Sequence, residues 1–264
     1  MKTSRQGKIS FLEPDWARKA TVRAGFTTRN GGVSRAPYNS LNLGFNTEDP
    51  QYNVEGNRST LVRAFDLPPH LLLTVRQVHG TDILVIDEPN LDLSHFHTLE
   101  CDAVITDQPG ILIGVLVADC YPVLLFEPER KVAAAVHVGW KGAAAGILGK
   151  AVAAMEKGFN CSPLRIRAAV GPGIGAHKYE VDRPVRDAFR KGDGHWAEIA
   201  EEVALGKWHL DLKKSCLLQL EAAGLDTRNV EAAGECTCCH RELFFSHRRD
   251  EGMTGRQMGF VMLG

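Results

Sequence analysis

Three residues of this 264-residue chain, His79, Cys120 and His137, are of types that bind a transition metal. Zinc takes imidazole nitrogen and thiolate sulfur as ligands, and a site with three protein ligands keeps a fourth position open for water or substrate. Neither spacing, 41 positions from His79 to Cys120 and 17 from Cys120 to His137, is a recognised metal pattern. Whether the three residues meet therefore depends on the elements that carry them.

Cys120 and His137 flank a predicted β-hairpin. The apolar runs 123–126 and 132–136 predict two strands joined by a short loop. If the first strand ends by pairing with Lys131 across a four-residue loop, Cys120 lies directly opposite His137. Opposite residues have Cβ atoms roughly 4.5–5.5 Å apart, which suits two ligands of one metal. A slip of one residue would place them on opposite faces of the sheet.

The rest of the chain mixes strands and helices without a linker that would divide it. Helical periodicity predicts helices at Asn53–Phe65, Lys141–Phe159, Arg183–Lys191 and Leu212–Ala223. Apolar runs predict further strands at Leu71–Val75, Ile83–Ile86, Ala103–Thr106, Ile111–Ala118, Ile166–Val170, Phe244–Phe245 and Phe260–Leu263. Because strands often follow strands, we expect mixed sheets, the α+β class and a single domain over residues 1–264.

Composition excludes several classes of function. The formal net charge is −1, so the chain has no electrostatic footprint for nucleic acid or an anionic membrane. No apolar run reaches the length of a membrane span, and the polar N-terminal segment does not resemble a secretory signal. The cytoplasm is therefore the expected compartment. In that reducing setting the seven cysteines are expected to be buried thiols, metal ligands or nucleophiles rather than disulfides.

Short motifs follow one another along nearly the whole chain: Thr28–Ser34, Leu41–Leu43, Arg76–Gly80, Ala118–Pro122, His137–Gly142, Gly171–Gly175, Phe244–Asp250 and Thr254–Arg256. In this order they resemble the laccase-domain proteins, once named multicopper polyphenol oxidases and now described as zinc-dependent purine nucleoside phosphorylases. The departures are mild: Val138, Lys141 and His247 stand where Ala, Arg and Tyr are commoner. They keep a cation and a polar ring in place but could alter the substrate range.

The resemblance implies a fold and an activity. The implied fold has α/β/β/α layers built from duplicated βαββ units. The family's His, Cys and His ligands fall on His79, Cys120 and His137, with one zinc per chain and copper as an adventitious substitute. The implied activities are phosphorolysis of adenosine, inosine, guanosine and methylthioadenosine, together with hydrolytic deamination of adenosine. The expected partners are thus purine nucleosides and phosphate, while the oligomeric state stays open.

Further site residues are assigned by their chemistry and by this resemblance. Asp119 is the nearest carboxylate in sequence to a ligand and could move a proton in deamination, although strand alternation would turn it away from Cys120. Arg29, before a Gly-Gly loop, and Arg248 are expected phosphate ligands through the resemblance. Lys141, at the start of a predicted helix, is a third candidate cation. Asn42 is expected to hydrogen-bond the ribose, unless it is only a turn residue.

Other functions stay open at this level. A cysteine hydrolase would use Cys120 as nucleophile and His137 as base, and the residues alone do not separate it from a metal enzyme. A copper-dependent, laccase-like polyphenol oxidase would need several histidine-rich clusters, whereas the ten histidines contain one H-x-H pair, His95 and His97. A non-catalytic binding protein is a further alternative.

A cysteine-rich stretch, Cys236-Thr237-Cys238-Cys239-His240, also contains metal-type residues. It lacks a distant partner such as another C-x-x-C pair. The resembling family shares its first two residues without a recognised second metal at this point. We therefore do not expect a second metal there.

Overall fold

The computed structural model describes residues 1–19, 21–89, 91–192 and 195–264, with the backbone alone at residues 19, 94 and 95. The side chain of His95, half of the H-x-H pair, thus lies outside the described part. The described strands are β1 (Lys2–Gln6), β2 (Ile9–Glu13), β3 (Val22–Thr27), β4 (Leu72–Leu73), β5 (Ile83–Ile86), β6 (Ala103–Thr106), β7 (Leu112–Val117), β8 (Tyr121–Glu127), β9 (Val132–Val138), β10 (Arg167–Val170), β11 (Glu180–Val181), β12 (Ala200–Ala204), β13 (Lys207–Leu210), β14 (Val230–Ala232) and β15 (Gln257–Leu263).

The α-helices that the structure describes are α1 (Gln51–Arg63), α2 (Trp140–Ala144), α3 (Ile147–Phe159), α4 (Arg183–Lys191), α5 (Trp196–Ile199) and α6 (Leu212–Ala222). Short 3-10 helices lie at Ala17–Lys19, Pro69–Leu71, Leu93–Thr98, Pro163–Arg165, Ala176–Lys178 and Thr227–Asn229. Within the described ranges, none of these helices combines the length and the apolar character needed to cross a membrane.

Two six-stranded mixed sheets form the body of the molecule. The first has the order β1-β2-β3-β15-β7-β4, and its one parallel pair is β4 with β7. The second has the order β14-β10-β8-β9-β6-β5, with parallel pairs at both edges. A smaller sheet has the order β11-β13-β12. Strands β8 and β9 are buried along their whole length, which explains the nearly continuous apolar runs that predicted them.

Three apolar clusters show how the layers stack. Between the two sheets, side chains such as Phe26 and Leu124 pack together. The outer face of the second sheet is covered by α3 and α6, through residues such as Val152. The outer face of the first sheet packs against α1, where Leu61 joins the cluster of Phe260. The order is therefore α/β/β/α, and the expected α+β class and layered fold are confirmed.

The structure corrects two predicted elements. Phe244 and Phe245 do not form a strand; both are fully buried in the loop before β15, so their apolar character reports burial. The predicted helix Lys141–Phe159 is two helices, α2 and α3, separated at Gly146. Gly146 has φ +73°, a conformation that glycine adopts without steric strain and that ends the first helix.

The β8–β9 hairpin has a register different from the predicted one. Phe126 pairs with Ala133 rather than with Lys131, and the four-residue loop starts one residue later than predicted. Lys131, the last loop residue, has φ +54°. The pairing is thus shifted by two residues, and side chains alternate with a period of two. A shift of two keeps Cys120 and His137 on one face, diagonal to each other instead of directly opposite.

Candidate metal centre and its cavity

His79, Cys120 and His137 meet at one end of the second sheet, and we call them the His-Cys-His centre. Their ligand atoms all lie within 4.8 Å of one another. His137 belongs to β9, Cys120 directly precedes β8, and His79 lies in the loop between β4 and β5 with φ +60°. The two imidazole rings are 4.7 Å apart between centroids, with an interplanar angle of 74°. The fold thus brings together the three ligands that the sequence singled out.

Asp102, a fully buried carboxylate directly before β6, organises this centre. Its Oδ1 lies 2.7 Å from His137 Nδ1 and accepts a hydrogen bond from the backbone N–H of His79 at 3.0 Å. Its Oδ2 accepts from the N–H groups of Gly80 at 2.6 Å and Val78 at 3.2 Å. Because Nδ1 is engaged, Nε2 is the His137 nitrogen available to a metal, which is the carboxylate–histidine arrangement common around bound metals.

The two imidazoles respond to this environment in opposite ways. Burial by itself lowers the pKa of His137, but Cys120 and the Asp102 carboxylate offset it and raise this pKa to about 9. The pKa of His79 is lowered to about 4, first by burial and then by the charge of His137. The centre therefore favours one positive charge next to Cys120 and Asp102. A metal cation would take the place of that proton, so the donor set fits a zinc ion.

A cavity of about 1010 Å³ opens onto the His-Cys-His centre. Its volume lies at the upper end of the range of small-molecule sites, so it can hold a nucleoside and an anion together. Besides the three ligands, its lining includes aromatic side chains and four arginines. They are Phe45, Trp140, Tyr179, Arg58, Arg76, Arg248 and Arg256.

Asp119 and Arg248, two of the predicted site residues, line this cavity. Asp119 has φ +90°, so it does not follow the strand alternation that we used to orient it. Its Oδ1 accepts from Thr237 Oγ1 at 2.6 Å, and its Oδ2 accepts from the backbone N–H of Arg248 at 2.7 Å. The Arg248 guanidinium donates to the Glu180 carbonyl at 3.1 Å and lies over the Tyr179 ring. Asp119 thereby ties the 237 and 248 loops to the centre.

Arg29 and Lys141 lie elsewhere. Arg29 is buried and lines a separate cavity, where its guanidinium donates to the carbonyls of Asn39 at 2.7 Å and Arg241 at 3.1 Å. Burial, followed by the charge of Arg249, lowers its pKa. Lys141 is the second residue of α2, is exposed, and is not part of the lining of the main cavity; its Nζ lies 5.6 Å from the centroid of the adjacent Trp140 ring.

Asn42 is fully buried and does not line the main cavity. Its Nδ2 donates to Asp49 Oδ2 at 3.0 Å, and its Oδ1 accepts from the backbone N–H of Arg256 at 2.9 Å. It therefore positions the backbone of an arginine that faces the cavity. This contact supports a structural role in place of the predicted ribose contact.

Sequence reasoning missed Arg58 and Arg256 as cavity residues. Arg58 lies on α1 and donates to the Leu43 carbonyl at 2.9 Å; burial lowers its pKa to about 10. Arg256 packs against Gly44, so both arginines contact one loop. Neither forms an ion pair with any carboxylate among the described residues. Arg256 belongs to the motif Thr254–Arg256, so its role in the site could have been predicted from the sequence. Nothing in the helical pattern around Arg58 indicates that this residue faces a cavity.

Comparison with known proteins places this geometry in a family. The family model described as multi-copper polyphenol oxidoreductase laccase matches residues 23–264. The chain belongs to this laccase-domain family. Among curated relatives, purine nucleoside phosphorylase YlmD of Geobacillus stearothermophilus is 35% identical over 243 residues, covering 90% of this chain and 89% of the relative. A purine nucleoside phosphorylase of Corynebacterium glutamicum is 38% identical over 256 residues, covering 97% and 98%.

Solved structures agree with the laccase-domain assignment. The chain is similar to the Bacillus licheniformis hypothetical protein YfiH, with a TM-score of 0.91, 34% identity and 97% coverage of each chain. It is also similar to YlmD from Geobacillus stearothermophilus, with a TM-score of 0.88, 32% identity and coverage of 98% of this chain and 97% of that one. The layered fold is therefore that of the family.

Proposed function

We propose that this chain is a purine nucleoside phosphorylase that depends on zinc held by His79, Cys120 and His137. The observation that carries the proposal is the meeting of a metal-type ligand set with a nucleoside-sized, arginine-lined cavity, in a chain whose relatives are named purine nucleoside phosphorylases. When bound, zinc supplies Lewis-acid polarisation of an oxygen on substrate or water. The proposed substrates are adenosine, inosine, guanosine and methylthioadenosine, with phosphate as the second substrate.

Phosphate is assigned to Arg58 and Arg256. Both face the cavity without a carboxylate partner among the described residues, and both contact the loop at 43–44. Cationic donors of this kind bind phosphate through charge-assisted hydrogen bonds. In the reaction a phosphate oxygen bonds to the ribose C1′ and the bond from C1′ to the purine nitrogen breaks. Its electron pair leaves with the base, which then takes up a proton.

The cavity's aromatic side chains and Arg248 are assigned to the nucleoside. Trp140 and Tyr179 lie in the lining and offer faces on which a purine can stack. Arg248 already rests over Tyr179, with its guanidinium carbon 5.3 Å from the ring centroid. We place the purine base near Arg248 and Tyr179. The phosphate is placed near Arg58 and Arg256, at a different part of the cavity lining.

Asp119 is the proposed proton carrier for adenosine deamination. Each of its oxygens accepts one hydrogen bond, from Thr237 and from the Arg248 backbone. An ionised carboxylate offers about four acceptor positions, so acceptor capacity is left for a proton from water. In deamination the oxygen of water bonds to the purine carbon that carries the amine, the bond from that carbon to the amine nitrogen breaks, and the nitrogen leaves as ammonia after taking up a proton. This reaction needs no phosphate.

The decisive experiment measures inosine phosphorolysis against phosphate concentration. Arg256→Ala and Arg58→Ala are expected to raise the phosphate KM by about 10-fold or more, because each removes a charge-assisted contact. Arg63→Ala is the matched control, since Arg63 is exposed at the end of the same helix α1. Adenosine deamination should fall less in these variants. An unchanged phosphate KM in both cavity variants would contradict the phosphate assignment.

The two alternatives make opposite predictions for protein treated with a chelator. A cysteine hydrolase with Cys120 as nucleophile would keep its activity without metal, and its Cys120 thiol would react with an alkylating agent before any chelator is added. A copper-dependent polyphenol oxidase would regain phenol oxidation with copper. The proposed enzyme should lose nucleoside turnover on chelation, regain it with zinc, and expose Cys120 to alkylation only in the metal-free state.

A further inference from the structure

A second cluster of metal-type side chains lies outside the His-Cys-His centre. It consists of His177, Cys236 and Cys239, and we call it the loop cluster. The ligand atoms all lie within 4.8 Å of one another, and His177 Nε2 is 3.2 Å from Cys239 Sγ. The two cysteines form a C-x-x-C pair. The distant partner that the sequence lacked is a single histidine, 59 residues before Cys236 and brought in by the fold.

The backbone around Cys236 is arranged as in thiolate metal sites. The sulfur is buried and accepts a hydrogen bond from the Gly175 N–H at 3.1 Å. Such amide donors stabilise the negative charge of a metal-bound sulfur. The N–H of Cys239 bonds back to the Cys236 carbonyl at 3.1 Å, which closes a turn and brings the two sulfurs together. His240 Nδ1 faces the same carbonyl at 3.0 Å, so this histidine is not part of the cluster.

Gly175 shows how closely the loop cluster is packed. A Cβ at this position would lie 2.9 Å from His177 Cε1 and 3.3 Å from Cys236 Sγ. The Gly175 backbone, with φ −68° and ψ 149°, is open to any residue, so the restriction is steric. Because residue 175 is a glycine without a side chain, the His177 imidazole and the Cys236 thiol can approach each other.

We propose that His177, Cys236 and Cys239 form a second transition-metal site, which takes zinc. Two thiolates and one imidazole are a zinc ligand set, and a tetrahedral zinc with bonds of ~2.3 Å to sulfur and ~2.1 Å to nitrogen separates those atoms by ~3.6 Å. The observed nitrogen–sulfur separation of 3.2 Å needs only a small side-chain adjustment to match. His177 and Cys239 are exposed, so the site is reached from solvent.

A metal here would join two segments that frame the main cavity. On one side, the N–H of Ile174 donates to the Asp119 carbonyl at 2.9 Å, and His177 follows in the 3-10 helix. On the other, Thr237 lies between the two cysteines and donates to the Asp119 carboxylate. Both segments meet at Asp119, so a metal in the loop cluster would hold the cavity wall in place.

Zinc stoichiometry tests the proposal directly. Protein equilibrated with zinc and then freed of unbound metal is expected to hold about two zinc ions per chain, one for each three-ligand set. Cys239→Ser and Cys120→Ala should each hold about one, and the double variant none. Cys238→Ser is the matched control, because this neighbouring cysteine is not in the cluster, and it should keep both ions. Cys239 is exposed, so its replacement by the isosteric serine leaves the core intact.

Two outcomes of this count would overturn the second site. The first is that Cys239→Ser holds as much zinc as the wild type, and the second is that Cys238→Ser loses as much zinc as Cys239→Ser. A count of free thiols in denatured, zinc-equilibrated protein adds a further check, since a disulfide between Cys236 and Cys239 that persists with zinc present would also overturn it.

Hydrogen exchange locates the bound ion. Zinc should slow amide exchange in segments 174–178 and 236–240 of Cys120→Ala, where the first centre is disabled, and not in the double variant. Equal protection in both proteins would place the ion elsewhere and contradict the proposal. Because these measurements do not use catalysis, they are independent of the proposed phosphorylase activity.

Discussion

The His-Cys-His centre and the loop cluster use the same ligand types on very different supports. In the centre, two ligands lie at the ends of fully buried strands, and Asp102 contacts both histidines or their backbone. In the loop cluster, the ligands come from a short 3-10 helix and a turn, and two of the three are exposed. A preorganised set loses less conformational entropy when it binds metal. The centre is therefore expected to bind zinc more tightly than the loop cluster.

The largest effect should come from removing the thiolate of the centre. Cys120→Ala is expected to lower kcat/KM for nucleoside phosphorolysis by more than about 100-fold, beyond the loss typical of residues behind the ligands. Cys161→Ala is the control, because this buried thiol lies in the core between the second sheet and its helices. Steady-state kinetics on zinc-loaded proteins measures both. If Cys239→Ser lost as much activity as Cys120→Ala, the two clusters would not differ in role.

Asp102→Asn tests a residue that positions the ligands of the centre rather than a ligand itself. The amide keeps the shape but loses the charge that holds His137, so zinc affinity should fall about 10- to 100-fold. Competition with a chromophoric chelator measures this affinity. Asp82→Asn is a nearby control that keeps the hydrogen bond between Asp102 and His137. An unchanged affinity would mean that burial alone, without the carboxylate, orients the centre.

A matched pair of glycines compares the packing of the two clusters. A Cβ at Gly139 would collide with His79 Nδ1, while one at Gly175 would come within 2.9 Å of the exposed His177 ring. Both histidines are exposed, but the His79 backbone is anchored by its hydrogen bond to the buried Asp102, whereas His177 lies in a three-residue 3-10 helix. Gly139→Ala should therefore weaken zinc binding at the centre by about 10-fold, and Gly175→Ala should weaken the loop cluster less. If zinc titrations showed an equal loss of affinity in the two variants, the His-Cys-His centre would not be more rigid than the loop cluster.

The smallest expected effect is that of Thr237→Val, and it is an effect on stability. The substitution removes the hydroxyl that donates to Asp119 and keeps the shape of the side chain. Leaving the buried carboxylate without this partner should lower the free energy of unfolding by about 1–3 kcal/mol. Chemical denaturation measures it, and Thr227→Val at an exposed position is the control. A stability equal to the wild type would show that Asp119 does not tie the loop cluster to the cavity.

Local pattern was enough to predict most strands of the second sheet and the face of the hairpin on which Cys120 and His137 lie. The apolar runs of β5 and β6 matched their predicted bounds, and the four-residue loop had the predicted length. Cys120 and His137 were expected on one face, and they are, although the register was wrong by two residues. The reason is that side-chain direction depends on a period of two, which survives such a shift.

Contacts between distant segments were decided only by the tertiary structure. Asp102 reaches His137 from the end of the neighbouring strand β6, Arg58 reaches the cavity from a helix, and His177 joins Cys236 from another loop. No local rule links residues so far apart, because their approach depends on how sheets and loops pack. The amino-acid sequence by itself determined which side chains can bind a metal and on which face of a strand they lie. The tertiary structure decided which of them meet, since long-range packing sets their distances.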